Sequence, residues 1–211
     1  MALAPEDIIA FRAEAAVAAM HLFAEQGYDA VTMRAVAAEL GVSAMTPYRY
    51  LANKDELFAL VRAEAFRRFA ERLEVAIDTD DAPTRKLIVL KRAYVKFALD
   101  QPDAYRIMFE VRTPEPSDRE PREVAVQSRR AFACLHRTVA EAVAAGELDG
   151  DPLTIAHLAW ASVHGLVSLH LAGRLGSGRT LAQLAAIDFE LPAFARPKAK
   201  TTTKTKQRSR R

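Results

Sequence analysis

The sequence predicts an all-α protein. Three observations support this: among 211 residues only eight are glycine, alanine (the strongest helix former) is abundant, and apolar residues recur at helical spacing. The spacing is clear at Leu57, Leu60, Val61, Phe69 and Leu73. No stretch alternates convincingly between apolar and polar residues as a strand would. We therefore expect about nine helices.

Glycine, proline and capping residues set the expected boundaries. Gly27 ends a first helix over 5–26, and Gly41 ends a second over 32–40 that Thr32 caps. Ser43 caps a third helix with Pro47 near its first turn, and Asn53 caps a long helix over 54–77. Further helices are expected over 83–99, 102–111, 122–146, 152–176 and 180–190, with an exposed, mobile loop at 112–121.

The composition is that of a globular protein large enough to fold without a metal or disulfide. Half of the residues are apolar and 27% are charged. The single cysteine, Cys134, cannot form an intramolecular disulfide, and the first residues lack a charged region followed by an apolar core, so we expect no secretory signal. We expect a cytoplasmic protein with no membrane partner.

The net charge of +3 comes from the last sixteen residues. From Arg196 onward there are eight Lys or Arg and no acid, so residues 1–195 carry a net charge of −5. Residues 1–60 hold four basic and eight acidic side chains. We expect the tail over 196–211 to be disordered. It either adds non-specific affinity for nucleic acid or only solubilises the chain.

Residues 32–50 have the pattern of two short helices joined by a tight turn. Gly41, Val42 and Ser43 form the turn, which is the spacing of a helix-turn-helix whose second helix enters the DNA major groove. A helical hairpin with a glycine turn could share this pattern. The next residues favour DNA, because hydroxyl, phenol and cationic donors between Ser43 and Lys54 are common phosphate partners.

The run VTMRAVAAELGVSAMTPYRYLANKDELF resembles the N-terminal DNA-binding domain of TetR/AcrR-type bacterial transcriptional regulators. The resemblance implies phosphate contact at Thr32, base contact at Arg34, and base contacts along the leading turn of the recognition helix. It also implies backbone contacts from the aromatic positions and from the lysine that follows. The DNA-binding residues expected on this basis are Thr32, Arg34, Ser43, Ala44, Met45, Thr46, Tyr48, Arg49, Tyr50 and Lys54.

Two residues depart from the family pattern. Met45 stands where glycine is commonest, and Leu51 stands where phenylalanine is usual. Met45 can read a thymine methyl group by apolar contact. The operator sequence therefore cannot be inferred from relatives.

The helix over 152–175 is apolar around its whole circumference, which is typical of a helix buried on all sides. A membrane span is the competing interpretation, but three histidines, Arg174 and three hydroxyl residues disfavour it. We expect this helix to lie against a second copy of the chain. The dimer contacts expected there are Gly165, Ser168, Leu169, Ala172 and Gly173.

The stretch WASVHGLVSLHLAGRL resembles the Trp-His-Gly motif of one TetR-like subgroup, in which the last two helices form the dimer interface. The family also implies a small-molecule pocket. Its expected lining, which serves equally well as ordinary core, is Tyr94, Phe97, Tyr105, Met108, Phe109, Phe132, Trp160 and His164.

No catalytic site, cofactor or metal is predicted. His157 and His164 lie two helical turns apart, about 10.5 Å, which is too far for one zinc ion to bridge. No nucleophile–base–acid set or glycine-rich phosphate loop is visible in the sequence.

The sequence thus predicts a dimeric regulator, most simply a repressor, that a small molecule releases from its DNA operator. The expected domains are a helix-turn-helix domain over 1–50 and a ligand-binding and dimerisation domain over 51–195. The alternatives are a small helical enzyme with an incidental helix-turn-helix-like segment, and a non-specific nucleoid protein that binds DNA through its tail.

Overall fold

The computed structural model describes residues 4–112, 121–176 and 178–186. Within these residues the chain forms eight α-helices and one 3₁₀ turn, and no strand. They are α1 (Pro5–Ala30), α2 (Met33–Glu39), the 3₁₀ turn (Pro47–Arg49), α3 (Lys54–Ile77), α4 (Pro83–Asp100), α5 (Pro102–Phe109), α6 (Arg122–Ala144), α7 (Pro152–Leu171) and α8 (Leu181–Ala186). The all-α prediction is confirmed.

The long helix α3 lies at the centre and packs against α1, α4, α5 and α6. The apolar residues that recur along it turn inward, and Leu57 and Val61 are fully buried. Further along, Phe69 contacts the rings of Tyr94 and Phe97, with centroids 5.1 and 5.0 Å away. Each such side chain contributes about 1.5–3 kcal/mol on full burial. The resulting core joins α1, near the N-terminus, to α3 and the helices after it.

Three predicted N-caps are confirmed. Thr32 Oγ1 accepts from the backbone N–H of Ala35 at 3.1 Å, and Asn53 Oδ1 accepts from that of Glu56 at 2.8 Å. Asp151 Oδ2 accepts from Thr154 at 2.8 Å at the start of α7. Each cap satisfies a backbone N–H that has no partner within its helix, which stabilises a helix by about 1 kcal/mol.

The prediction of an α-helix after Ser43 is wrong. The chain instead makes turns and the short 3₁₀ helix at Pro47–Arg49. Pro47 has no N–H to donate to the Ser43 carbonyl four residues earlier. That carbonyl accepts from Thr46 N at 2.9 Å instead, which is the tighter 3₁₀ pattern. Ser43 Oγ bonds to Thr46 Oγ1 at 2.8 Å and caps no helix.

Helix α7 ends at Leu171, five residues before the expected end at Gly176. Gly173 adopts a positive φ of 67°. The N–H of Gly173 donates to the His170 carbonyl at 2.9 Å, and that of Arg174 to the Leu169 carbonyl at 2.8 Å. This pair of bonds is a Schellman cap, and it closes the helix at the earlier of two available glycines.

The remaining boundary predictions are confirmed to within a few residues where the chain is described. The first helix has its break at Gly27, where φ is 76°, and one more turn continues to Ala30. The loop expected at 112–121 lies almost entirely outside the described residues. The last helix is described only as far as Ala186, and the basic tail over 196–211 also lies outside the described residues.

Candidate nucleic-acid interface

Helix α2 and the turn after it form a hydrogen-bonded corner. Val36 and Ala37 of α2 are buried against the core. At the turn, Gly41 N donates to Ala38 O at 3.0 Å and Val42 N donates to Ala37 O at 2.9 Å. The positive φ of 67° that this geometry requires at Gly41 is costly for residues other than glycine. The glycine therefore fixes the direction in which the next segment leaves α2.

The segment over 43–50, which we call the reading segment, presents a row of exposed side chains. Met45 is 70% exposed and Tyr48 is 51% exposed, although both are large and partly apolar. Ser43, Ala44 and Arg49 are also exposed, and Thr46 is half-buried. On the neighbouring α2 corner, Thr32 and Arg34 are exposed as well. Apart from Thr46, Tyr50 and Lys54, which are half-buried, the residues expected to contact DNA therefore lie on exposed surface.

Tyr50 points the other way. Its ring stacks on Phe11 of α1, with centroids 4.1 Å apart and planes 19° apart. Its carbonyl accepts a hydrogen bond from Arg12 Nη1 at 3.1 Å. Tyr48 and Tyr50 cannot share one helix face, and the structure separates them accordingly. Tyr48 faces solvent, whereas Tyr50 anchors the segment to α1.

A group of polar contacts, which we call the polar clamp, joins α1, the end of the reading segment and α3. Arg12 of α1 pairs with Glu56 of α3 at 2.5 Å, and the other carboxylate oxygen of Glu56 accepts from Ala52 N at 2.7 Å. The bond from Ala52, reinforced by Arg12, holds the pKa of Glu56 below its usual value despite its partial burial. Phe11 and Arg12 could not be predicted from the sequence, since nothing in the spacing of α1 separates them from ordinary core and surface residues.

Lys54 is engaged within the chain. Its ammonium donates to the carbonyls of Tyr28 and Asp29, at 3.0 and 3.4 Å, and lies 4.2 Å from the centre of the Tyr28 ring. The Tyr28 hydroxyl donates to Asp55. Burial, together with the bond to Asp55, raises the pKa of Tyr28 to about 12. An ammonium has three N–H groups, so contact of Lys54 with a phosphate would use the remaining one.

Most residues expected to line a ligand pocket belong to one largely aromatic cluster at the contact of α4, α5 and α7. Tyr94, Phe97, Tyr105 and Met108 are buried. Phe109, Phe132, Trp160 and His164 are half-buried. The Phe109 ring is centred 4.8 Å from His164 and 6.3 Å from Trp160.

His164 is the polar centre of this cluster. Its Nδ1 lies 2.8 Å from the Tyr105 hydroxyl and 3.1 Å from that of Tyr94. Ser168 Oγ lies 3.4 Å from Nε2 and 3.1 Å from the Tyr105 hydroxyl. Burial lowers the pKa of His164, which favours the neutral imidazole. The three hydroxyls and the imidazole can satisfy one another without a net charge.

An open cavity of about 580 Å³ lies away from that cluster, at the ends of α1, α5 and α7. Tyr28, Asp29, Arg106, Glu110 and Leu171 are among the residues that line it. None of the residues expected to line a ligand pocket borders this cavity.

Helix α7 leaves an apolar face uncovered. Leu158 and Leu169 lie on this face and are each at least a third exposed, and the residues expected at a dimer contact lie along or beside it. Gly165 and Ser168 are half-buried, and Ala172 and Gly173 are exposed. By length and composition alone α7 could cross a membrane, and 22% of its apolar stretch is buried within the chain. Exposed apolar faces are typical of surfaces that contact another molecule.

Comparison with known proteins gives two family matches. Residues 16–61 match the model of the bacterial regulatory proteins of the tetR family. Residues 87–190 match that of the tetracyclin repressor-like C-terminal domain. One match therefore lies in the N-terminal part of the chain, which includes the reading segment, and the other lies in the C-terminal part.

Individual proteins are similar to the chain along most of its length. The HTH-type transcriptional regulator Rv1816 of Mycobacterium tuberculosis is 23% identical over 184 residues, covering 72% of this chain and 77% of the relative. A solved structure of a protein of unknown function from Rhodococcus sp. RHA1 superposes with a TM-score of 0.71 at 26% identity, covering 82% of this chain and 89% of the other. A TetR-family protein from Vibrio parahaemolyticus has the same fold, with a TM-score of 0.68 at 22% identity and coverage of 81% and 91%.

Proposed function

The chain belongs to the TetR family of bacterial regulatory proteins, and on that premise we propose that it is a dimeric cytoplasmic repressor. It binds a two-fold-symmetric DNA operator, and a small molecule releases it. Regulators of this family are DNA-binding transcription factors and not enzymes. The observation that carries the DNA-binding part is the exposed row of Met45, Tyr48 and Arg49 directly after the turn at Gly41.

The roles of the exposed residues divide by chemistry. Tyr48, Arg49 and Thr32 offer hydroxyl and guanidinium donors to phosphates, which position the protein without reading sequence. Met45 and Thr46 face the base edges and supply apolar and hydroxyl contacts to thymine and its neighbours. The reading segment and α1–α2 form the DNA-binding domain over 1–50, and the basic tail over 196–211 adds non-specific affinity.

The uncovered face of α7 supports the dimer. Two copies related by a two-fold axis bring the same face together, and Leu158 and Leu169 then become buried. A Cβ added at Gly165 would meet no atom within 4 Å in one chain. Gly165→Ala is therefore compatible with the fold of one chain, and its added methyl group obstructs a close helix approach between two copies. Sedimentation equilibrium should show a dimer for the unmodified chain and a weakened one for Gly165→Ala.

The effector enters the aromatic cluster around His164, where Tyr94 and Tyr105 provide two hydroxyls to orient it. Opening this cluster displaces α5 and α7 from each other and changes the spacing of the two reading segments. Coupling of this type is typically about 1–3 kcal/mol. Trp160 is the only tryptophan in the chain, so its fluorescence reports ligand binding. The proposal fails if a compound that changes Trp160 emission leaves operator affinity unaltered.

Selection of binding sites from random DNA tests the DNA-binding part. The unmodified chain should enrich sites with two symmetric half-sites about one helical turn, roughly 34–36 Å, apart. A chain truncated after residue 195 should enrich the same sites. Binding that disappears with the tail and enriches no sequence would instead support a non-specific DNA-binding protein.

A further inference from the structure

Three side chains with metal-ligating atoms meet where α1 passes α5. His21 and Glu25 lie one helical turn apart on α1, and Asp103 lies in the first turn of α5. One ligand atom from each lies within 4.8 Å of the other two, and His21 Nδ1 is 2.8 Å from Asp103 Oδ2. Four-coordinate Zn²⁺ with bonds of about 2.0–2.2 Å places its ligand atoms roughly 3.3–3.6 Å apart. Small side-chain rotations therefore suffice to enclose an ion.

The surroundings of His21 are negative. Asp103, by hydrogen bond and by charge, and then Glu25 and Glu39 all raise its pKa, whereas its slight burial lowers it. Arg106 is the cation beside Glu25, with its Nη1 3.4 Å from Glu25 Oε1. Half-exposed ion pairs of this kind contribute only about 0–1 kcal/mol. Replacing Arg106 by a divalent cation would therefore cost little ion-pair energy, and the cation would bind the carboxylates of Glu25 and Asp103.

The ligand types select the class of metal. An imidazole nitrogen with two carboxylate oxygens suits Zn²⁺ and similar transition metals, whereas Ca²⁺ and Mg²⁺ prefer oxygen ligands alone. The His21 side chain is 70% exposed, so water can complete the coordination shell. No sequence pattern indicates this group, because Asp103 is 82 residues from His21 and only the fold brings them together.

We propose that His21, Glu25 and Asp103 form a Zn²⁺ site that ties α1 to α5. The site shares no residue with the reading segment or with the aromatic cluster, and the proposal goes beyond the function given above. It has a structural consequence, since α1 also carries Phe11 and Arg12, which hold the reading segment. An ion at this site fixes the helix that supports the DNA-reading surface to the body of the protein.

Competition with a chromophoric chelator tests the proposal on the full-length chain without an affinity tag. The unmodified chain should bind one Zn²⁺, and bound Zn²⁺ should raise its thermal unfolding midpoint. His21→Ala and Glu25→Gln should each weaken binding at least about tenfold, since losing even an outer-shell partner costs roughly 10–100-fold. Arg106→Ala should strengthen binding, because it removes the competing guanidinium from Glu25.

Glu14→Gln is the matched control, since Glu14 is an exposed carboxylate on the same helix, seven residues before His21. It should bind Zn²⁺ like the unmodified chain. Equal affinity in Glu25→Gln and Glu14→Gln would overturn the proposal and mark any uptake as adventitious binding elsewhere. Absence of stoichiometric uptake by the unmodified chain would also overturn it.

Discussion

The ring of Tyr50 stacks on that of Phe11 at a centroid distance of 4.1 Å, which fastens the end of the reading segment to the first helix. The segment has little regular helix of its own, because Pro47 prevents an α-helical bond to Ser43. Its orientation therefore depends on this stack and on the bond from Arg12 to the Tyr50 carbonyl. A DNA-reading surface positioned in this way is sensitive to residues that face away from DNA.

Phe11→Leu should weaken operator binding although Phe11 lies on α1, outside the reading segment, and stacks on Tyr50. Leucine keeps most of the apolar volume but loses the aromatic stack, which contributes about 0.5–1.5 kcal/mol. We expect the free energy of unfolding to fall by a similar amount and the operator affinity to fall with it, measured by denaturant unfolding and by fluorescence anisotropy. Val17→Ala, an exposed change on the same helix, is the control. If Phe11→Leu bound the operator as tightly as Val17→Ala, the anchoring role of the stack would be refuted.

Tyr48 and Met45 should give different signatures in DNA binding. Tyr48→Ala removes a phosphate contact, so it should weaken binding to all sequences alike. Met45→Ala should instead change the preference at one base pair, by up to about 1–3 kcal/mol. Parallel anisotropy titrations with the selected operator, a single-substitution series and unrelated DNA would distinguish them. A sequence-dependent loss in Tyr48→Ala would mean that this side chain reads bases.

Leu169→Glu should convert the dimer to a monomer. The substitution places a charge on the exposed apolar face of α7, where two copies would have to desolvate it. Sedimentation velocity measures the outcome, and Val75→Glu, at an exposed valine of α3, is the matched control. If the dimer survived Leu169→Glu but dissociated with Val75→Glu, the dimer interface would lie on α3 and not on α7.

His164 and His21 should influence stability in opposite directions as pH falls. Burial lowers the pKa of His164, so near its ordinary value of about 6.5 the unfolded chain binds more protons there than the folded chain does. Its contribution to the free energy of unfolding therefore decreases from about pH 7 towards pH 5. The hydrogen bond to Asp103 raises the pKa of His21, so its contribution is present below about pH 6.5 and is lost as pH rises through that raised pKa.

The urea concentration at the midpoint of unfolding, measured across this pH range, reports the combined effect of the two histidines on stability. His164→Asn should make the loss of stability on acidification smaller than in the unmodified chain. His157→Asn, which alters an exposed histidine of the same helix, should not. An unchanged acid-side slope in His164→Asn would show that burial at this position does not control its protonation.

Local signals predicted most of the fold. Asn53 and Thr32 were recognisable as caps because a side-chain oxygen three residues before a helical N–H satisfies it without help from the rest of the chain. The boundary predictions failed where two local signals competed. Two glycines could end α7, and bonds to the carbonyls of His170 and Leu169 favoured Gly173. At the reading segment the missing N–H of Pro47 outweighed the capping signal of Ser43.

The sites were predictable only in part. The exposed row after Gly41 followed from a motif with fixed spacing, and the assignment of DNA contacts within it remains a prediction. The clamp of Arg12 on Glu56 and the meeting of His21 with Asp103 join residues 44 and 82 positions apart. Pairs of this kind depend on how whole helices cross, which no local pattern encodes. The division into domains at residue 50 and the role of the tail also remain predictions.

Hydroxyl-radical footprinting on a selected operator tests the central claim most directly. The experiment compares the full-length chain with one truncated after residue 195, at physiological salt. Our account predicts two symmetric protected patches about one helical turn apart, at the same positions for both proteins. Diffuse protection that vanishes on truncation would contradict it, because the tail and not the reading segment would then be the DNA-binding element.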